Sequence, residues 1–377
     1  MKIFVLLREP FIDKIPNLKT LIWYLSQKGY DITILSSKED KYPMPSFENE
    51  NIHIECVSRR SKIFEFPTII KLAWIFINNY IRRNPSICIG GDTYGNLLLG
   101  ILKKILRFNH IYFLLEFPQI ITNSHLKLSR LERLEAKMIQ ESDLAITHDQ
   151  FHKKFLLDNF KIRSNKILLL PNASLTKIEE YKSDFLQQRL KLSKENKIIL
   201  HSGGLGIWFK CKELAESTIN WPDNYVLVFH TSHDVSKDSY YNELSLKEYQ
   251  EKVLFSIKPV STFELDLLVC SASIGIAFYS VEKLEYRAEL MGLAAGKIGN
   301  YLKCGLPVIA TNLVSLSYLQ DYHCGILVND ESEIAAAINE INSNYEQFSL
   351  NAKKCYQELW HPEKYLIEIE NTISKFH

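Results

Sequence analysis

A short run of small residues followed by a lysine is the part of this sequence most typical of a ligand site. Ala295-Gly296-Lys297 precedes a segment of helical composition that is expected to end at Gly305. A helix that begins on small residues leaves backbone N–H groups and the positive end of its dipole open to an anion, and the lysine adds a full charge. This pattern favours a phosphate group, although an ordinary helix–strand connection would have the same composition.

A second loop with phosphate-binding character contains Gly203, Gly204 and Gly206, between a predicted strand and a predicted helix. Glycines at such a turn let the backbone approach a diphosphate closely. Lys212, in the helix that follows, is within reach of a phosphate, but an exposed helical lysine is equally expected. The loop lacks the Lys-Ser/Thr of a nucleotide-binding P-loop, and Phe209 stands where a dinucleotide fingerprint needs glycine. Two such turns in one half of the chain favour a diphosphate more than either turn alone.

Two carboxylates follow predicted strands in the first half of the chain. Glu116 comes directly after an apolar strand and two residues before Pro118, and Asp92 follows a pair of glycines. A carboxylate at such a position faces a cleft or is paired, because burying it alone is costly. Glu116 and Asp92 are therefore candidate catalytic groups. Asp92, just before a helix, is equally well placed to cap that helix.

The elements that position these residues alternate between strand and helix along the chain, which predicts an α/β fold with parallel sheets. Residues 1–172 form one predicted doubly wound domain, 173–196 a linker and 197–359 a second domain. Ligands bind beyond the carboxyl ends of parallel strands. Two facing Rossmann-like domains with a ligand cleft between them are therefore expected.

The composition and net charge of the chain limit the classes of function that it can have. The chain has 377 residues, 46% hydrophobic and 24% charged, with a net charge of +1 that gives no support for nucleic-acid binding. Its seven cysteines lie singly, without a CxxC pair, which favours buried free thiols in the cytoplasm and no metal site. The sequence predicts no signal peptide and no transmembrane helix. Two apolar helices with basic ends, at 67–83 and 96–107, fit peripheral docking on a membrane or, more simply, core helices.

The run from Gly296 to Thr311, GKIGNYLKCGLPVIAT, together with Gly325 to Val328, resembles the K-x-x-E-Y-x-x-x-G-x-P-V-I region of group 1 glycosyltransferases with the GT-B fold. The resemblance implies transfer of a sugar from a nucleotide-diphosphate sugar to a glycan, lipid-linked or other acceptor. It further implies retention of configuration, no metal or other cofactor, and a role in polysaccharide or glycoconjugate synthesis in the cytoplasm or at the inner membrane face. In this family a C-terminal helix, here about 360–377, commonly packs back on the first domain.

The sequence departs from the family pattern at the site itself. Asn300 stands where the family usually has a glutamate that binds the donor ribose, and Gly292 where it has an earlier one. Asparagine keeps a carbonyl acceptor but no charge, so we expect Asn300 to bind ribose more weakly. Two other functions fit the same fold: a GT-B nucleotide-sugar epimerase, which needs no acceptor, and a non-catalytic GT-B partner protein. A nicotinamide-dependent oxidoreductase fits poorly, because no adequate fingerprint follows the first strand.

Overall fold

The structure is a computed structural model that describes residues 1–10, 12–39, 46–58, 66–115, 130–160, 162–175, 182–245, 249 and 251–376. The chain divides into two compact units. Unit 1 comprises Met1–Leu175 with Pro362–His377, and unit 2 comprises Thr176–His361.

Unit 1 is built on seven parallel strands in the order β3-β2-β1-β4-β5-β6-β7. The strands are β1 Lys2–Leu6, β2 Asp31–Lys38, β3 Ile52–Ser58, β4 Ile87–Gly90, β5 Asn109–Phe113, β6 Leu144–Thr147 and β7 Ile167–Leu169. The helices between them are α1 Pro16–Gln27, α2 Phe66–Arg83, α3 Thr93–Leu102, α4 Arg130–Glu141 and α5 Gln150–Phe160. The predicted parallel α/β sheet is confirmed.

Both faces of this sheet are covered by helices. Ile3 and Val5 of β1 share a buried cluster with α1, whereas Phe4 and Leu6 share another cluster with Phe76 of α2. Because successive side chains of a strand point to opposite faces, these two clusters are the two sides of one sheet. The buried positions of β1 thus explain why its sequence is a continuous apolar run rather than an alternating one.

Unit 2 repeats this plan with six parallel strands in the order β10-β9-β8-β11-β12-β13. The strands are β8 Lys197–Ser202, β9 Tyr225–His230, β10 Val253–Ser256, β11 Ile274–Ala277, β12 Val308–Thr311 and β13 Gly325–Val328. The helices are α6 Phe185–Leu190, α7 Cys211–Ser217, α8 Ser239–Ser245, α9 Thr262–Cys270, α10 Val281–Leu284, α11 Gly296–Lys303, α12 Tyr318–Asp321, α13 Ile334–Ser343 and α14 Tyr345–Cys355. The 3-10 turns of this unit include Ile207–Phe209, Glu285–Leu290 and Gly292–Ala294, and a π-helical turn spans Tyr356–Trp360.

The strand order reverses between β1 and β4 in unit 1, and between β8 and β11 in unit 2. At such a reversal the connections leave in opposite directions and open a crevice at the carboxyl ends of the two strands. Each unit therefore has one position where the fold itself favours a ligand site.

Helix α11 is held closely against the sheet of unit 2 by small residues. A Cβ on Gly275 would lie 2.2 Å from the ring of Tyr301, and a Cβ on Gly299 would lie 2.6 Å from the ring of Trp360. The hydroxyl of Tyr301 accepts a 2.8 Å hydrogen bond from the backbone N–H of Ser202, the last residue of β8. These contacts fix the start of α11 relative to the loop that follows β8.

The last helix of the chain, α15 Glu363–Ile373, belongs to unit 1. Its Leu366, Ile369 and Ile373 are fully buried in the same cluster as α1. The hydroxyl of Tyr30 donates a 3.1 Å hydrogen bond to Glu370 on this helix. The core of unit 1 therefore includes residues from the end of the chain.

All seven cysteines are free thiols, and six of them are buried. The Sγ atoms of Cys270 and Cys304 lie 2.8 Å apart, and Cys324 lies beside Cys355, pairs that the linear spacing did not reveal. Over the described ranges, no helix is both long and apolar enough to cross a membrane.

Candidate functional site

Lys297, the second residue of α11, lies against the glycine loop that follows β8. Its Nζ is buried and has no hydrogen-bond partner among the described residues. A Cβ on Gly203 would stand 3.3 Å from this Nζ, and Gly203 has a φ of +144°. The backbone conformation therefore favours glycine here, and a Cβ would in addition crowd the ammonium group.

Aromatic rings enclose the same ammonium group. Its Nζ lies 4.3 Å from the ring centroid of Phe209 and 5.6 Å from that of Tyr279, which follows β11. Burial lowers the pKa of Lys297 to about 8, and the nearby Cys211 opposes this fall. The side chain is thus mainly protonated at pH 7. Ring faces attract a cation but leave its N–H donors without acceptors, so the site is prepared for an anion.

His201, at the end of β8, orders the loop without adding charge. Its Nε2 lies 3.1 Å from the carbonyl oxygen of Gly204, and because a carbonyl only accepts, Nε2 carries the proton. Burial, followed by the charge of Lys297, holds the pKa of His201 well below its usual range. The imidazole is therefore neutral, and the positive charge at this loop comes from Lys297.

The other predicted donor-site residues lie around this point. Gly204 and Gly206 belong to the loop, and Ala295 and Gly296 immediately precede Lys297 at the start of α11. Asn300 lies one helical turn further, hence on the same side of α11 as Lys297, and is partly exposed. The structure thus brings the two turns singled out in the sequence into contact at the β8–β11 reversal.

Lys212 is less closely tied to this group. It is the second residue of α7, and its backbone N–H donates to the hydroxyl of Tyr240 at 3.2 Å. Its neighbour Lys210 forms an ion pair with Glu331 at 3.1 Å. A phosphate role for Lys212 remains a prediction.

Unit 1 has a cavity of about 410 Å³ at its own strand-order reversal. Asp92 lines this cavity with both carboxylate oxygens occupied: Oδ2 accepts from the backbone N–H of Arg8 at 2.6 Å and of Glu9 at 2.8 Å, and Oδ1 accepts from that of Gly95 at 2.6 Å. Burial raises the pKa of Asp92, although the three hydrogen bonds act in the opposite direction. The helix-capping alternative considered for Asp92 is confirmed, and its catalytic role remains a prediction.

Two further polar residues of the cavity were not selected from the sequence. The guanidinium of Arg8 forms an ion pair with Glu9 and lies 3.7 Å from the ring centroid of Tyr94. The Nε2 of His148 lies 3.1 Å from the carbonyl oxygen of Leu115, and burial lowers the pKa of His148 to about 4. Position alone was the available signal, since His148 directly follows β6 and Arg8 comes two residues after the end of β1.

Glu116, the other predicted catalytic carboxylate, lies outside the described residues. Leu115, the residue before it, lines the cavity of unit 1. The role of Glu116 therefore also remains a prediction.

No protein-family model and no curated protein matches the chain. Solved structures do match it in fold over nearly its whole length. Sucrose-phosphate synthase from Thermosynechococcus elongatus has a TM-score of 0.73 at 14% identity, covering 99% of this chain and 98% of the other. HepE from Anabaena, in complex with UDP and glucose, also has a TM-score of 0.73 at 14% identity, covering 100% of both chains.

A protein assigned as a UDP-N-acetylglucosamine 2-epimerase from Listeria monocytogenes has a TM-score of 0.64 at 13% identity, covering 100% of this chain and 97% of the other. At these identities the likeness shows the fold. The chain therefore has the α/β architecture of two parallel sheets found in GT-B glycosyltransferases.

Proposed function

We propose that this chain is a glycosyltransferase that takes a sugar from a nucleotide-diphosphate sugar. The observation that carries the proposal is the buried Nζ of Lys297, which has no hydrogen-bond partner in the described part of the chain and touches the glycine loop at Gly203. This cation lies where the strand order reverses, the usual ligand position in such sheets. The shared fold with HepE, a protein crystallised with UDP and glucose, supports the same class of ligand.

In this proposal the donor's diphosphate occupies the loop from Gly203 to Gly206 and the start of α11. Lys297 donates charge-assisted hydrogen bonds to it, and Asn300 offers its side-chain carbonyl to the ribose. Negative charge grows on the diphosphate as the sugar leaves, so donors fixed in advance lower the barrier. The donor is the one small molecule that the proposal requires, with neither a metal nor another cofactor.

The acceptor is proposed to bind at the cavity of unit 1, and Asp92 and Glu116 are the proposed catalytic carboxylates. A glycan or a lipid-linked sugar is the proposed acceptor, in polysaccharide or glycoconjugate synthesis in the cytoplasm. Retention of configuration is proposed from the family resemblance.

Thermal unfolding with a panel of nucleotide sugars tests the donor site. A ligand present at about 100 times its Kd stabilises the folded chain by about 2.7 kcal/mol, which gives an increase in Tm of several degrees. Lys297→Ala is expected to weaken binding by about 10- to 100-fold, because it removes hydrogen bonds from a charged donor. Lys194→Ala, at an exposed lysine of the same unit, is the matched control and leaves affinity unchanged. Folded protein whose Tm no nucleotide sugar changes would show that the donor-site proposal is wrong.

An epimerase is the second candidate, favoured by the fold shared with the Listeria protein. Incubation with the donor alone separates the two: an epimerase converts the sugar without acceptor, and NMR of the anomeric and ring protons detects the product. Donor binding without turnover under any condition would instead favour a non-catalytic partner, consistent with Asn300 and Gly292 in place of the family's glutamates.

A further inference from the structure

Helix α2 of unit 1 has two apolar faces, and the sheet covers one of them. Leu72 and Phe76 point inward and belong to the core cluster. The opposite side carries large apolar side chains spaced four, three and four residues apart, which places them on one side of the helix. These are Ile70, Trp74, Ile77 and Ile81, with exposed fractions of 52%, 68%, 37% and 72%.

The exposed apolar surface continues onto the end of α3 and the turn that follows. Ile101 is 47% exposed and Ile105 is 80% exposed. The hydroxyl of Tyr80 donates to the carbonyl oxygen of Arg107 at 2.8 Å and accepts from its backbone N–H at 3.1 Å. These bonds hold the end of α2 beside this turn. We call the six exposed apolar residues, together with the exposed basic residues between them, the outer face.

The outer face is basic as well as apolar. The segments 66–83 and 93–107 contain six lysine or arginine residues and no aspartate or glutamate, although the whole chain has a net charge of +1. Two of the six have polar partners, since Lys103 pairs with Asp143 and Arg83 donates to Thr33. The four that are exposed, and that form no ion pair with the residues described, are Lys71, Arg82, Lys104 and Arg107.

We propose that the outer face docks unit 1 on a membrane surface that contains anionic lipids. Trp74 and the isoleucines would enter the region between headgroups and acyl chains, and the four cations would pair with lipid phosphates. A second copy of the chain is a poorer occupant. A symmetric contact would place two identical basic faces against each other, and their like charges would repel. This docking is independent of glycosyl transfer and goes beyond the function proposed above.

Vesicle flotation tests the docking. The full chain is expected to float with vesicles of phosphatidylcholine and phosphatidylglycerol in equal amounts, to float less as salt rises, and to stay behind with pure phosphatidylcholine. Lys104→Glu changes two charges and should weaken binding by about 25-fold, at about fivefold for each charge. Trp74→Ser should weaken it by at least about tenfold. Both side chains are exposed, so thermal unfolding should change little in either variant.

Matched controls lie in unit 2. Val314→Ser removes an apolar side chain that is 74% exposed, and Lys194→Glu reverses an exposed charge. Neither should change flotation. Vesicles with brominated acyl chains should quench the fluorescence of the wild type more than that of Trp74→Phe, because Trp74 is the tryptophan expected to reach the lipid.

Failure of the wild type to float with anionic vesicles would overturn the docking proposal. So would flotation of Trp74→Ser and Lys104→Glu to the same extent as the wild type. A dimer seen by sedimentation velocity, dispersed by Trp74→Ser and unaccompanied by vesicle binding, would identify a second copy of the chain as the occupant instead.

Discussion

Replacement of Lys297 by methionine is expected to stabilise the folded chain at neutral pH. An ordinary lysine has a pKa of 10.5, and burial lowers that of Lys297 to about 8. At about 1.4 kcal/mol for each pH unit, keeping this charge inside the fold costs about 3 kcal/mol below pH 8. Methionine has nearly the same length and no charge, and its sulfur can replace the ammonium against Phe209 and Tyr279. The net gain in the free energy of unfolding should be about 2 to 3 kcal/mol at pH 7.

The difference in stability between Lys297→Met and the wild type should depend on pH. Between pH 8 and 10.5 the folded chain has released a proton that the unfolded chain still binds, so the stability contributed by this group rises with pH. The wild type should therefore approach Lys297→Met as the pH rises toward 10.5, and the full difference should be present below pH 8. Groups that do not interact with Lys297 titrate equally in both proteins and cancel in the difference.

Lys303 provides a matched control on the same helix. It is also buried, but its Nζ forms a 2.5 Å ion pair with Asp266. Lys303→Met leaves that carboxylate without its cation and should destabilise the chain by about 2 kcal/mol. Two lysine-to-methionine changes on α11 are thus expected to have opposite signs.

Guanidinium unfolding followed by circular dichroism at pH 7 and pH 10 measures these differences. A chain with two units can unfold in two steps, and the step displaced by Lys303→Met identifies the transition of unit 2. If Lys297→Met is no more stable than the wild type at pH 7, or if the difference is the same at both pH values, Lys297 is not a buried, uncompensated charge.

Three other predictions concern the two candidate sites. Affinity for nucleotide sugars should fall as the pH rises above 8, because the free protein then loses the Lys297 proton. Calorimetry in buffers of different ionisation enthalpy should show that a proton is taken up on binding. Equal affinity at pH 7 and pH 9.5 would contradict this. Asp92→Ala should lower the free energy of unfolding by about 3 kcal/mol, because three backbone N–H groups lose their acceptor, and a change below about 1 kcal/mol in a denaturant titration would disagree. Gly203→Ala should lower the free energy of unfolding by about 1 to 2 kcal/mol and weaken donor binding. Gly204 is similarly crowded but has no positive φ, so Gly204→Ala should have smaller effects on unfolding and on binding.

The α/β class and the parallel sheets followed from the sequence because strand and helix patterns alternate regularly. The contact between Gly203 and Lys297 was expected only in outline, since each residue lies in a turn of a recognisable type. His201, Phe209 and Tyr279 were not predicted, because they come from three separate segments that only the folded sheet brings together. Aromatic residues are common in buried strands, so nothing local marks those that surround a cation.

The outer face of α2 shows a different limit of sequence reasoning. Its helix is apolar on two sides, and a pattern of that kind is typical of a fully buried helix. The structure covers the side of Phe76 and leaves that of Trp74 exposed. Which side the sheet covers depends on packing between distant segments, and local periodicity does not contain that information.

The position of α15 has a consequence for synthesis on the ribosome. Unit 2 is one continuous stretch, so all of it is translated before Pro362–His377 of unit 1. Leu366, Ile369 and Ile373 then arrive last and close a core that began with Ile3. Unit 1 is thus begun first but completed last. The apolar surface that α15 covers stays accessible to chaperones until α15 docks. A stop codon just after His361 would leave unit 2 whole and unit 1 without this part of its core.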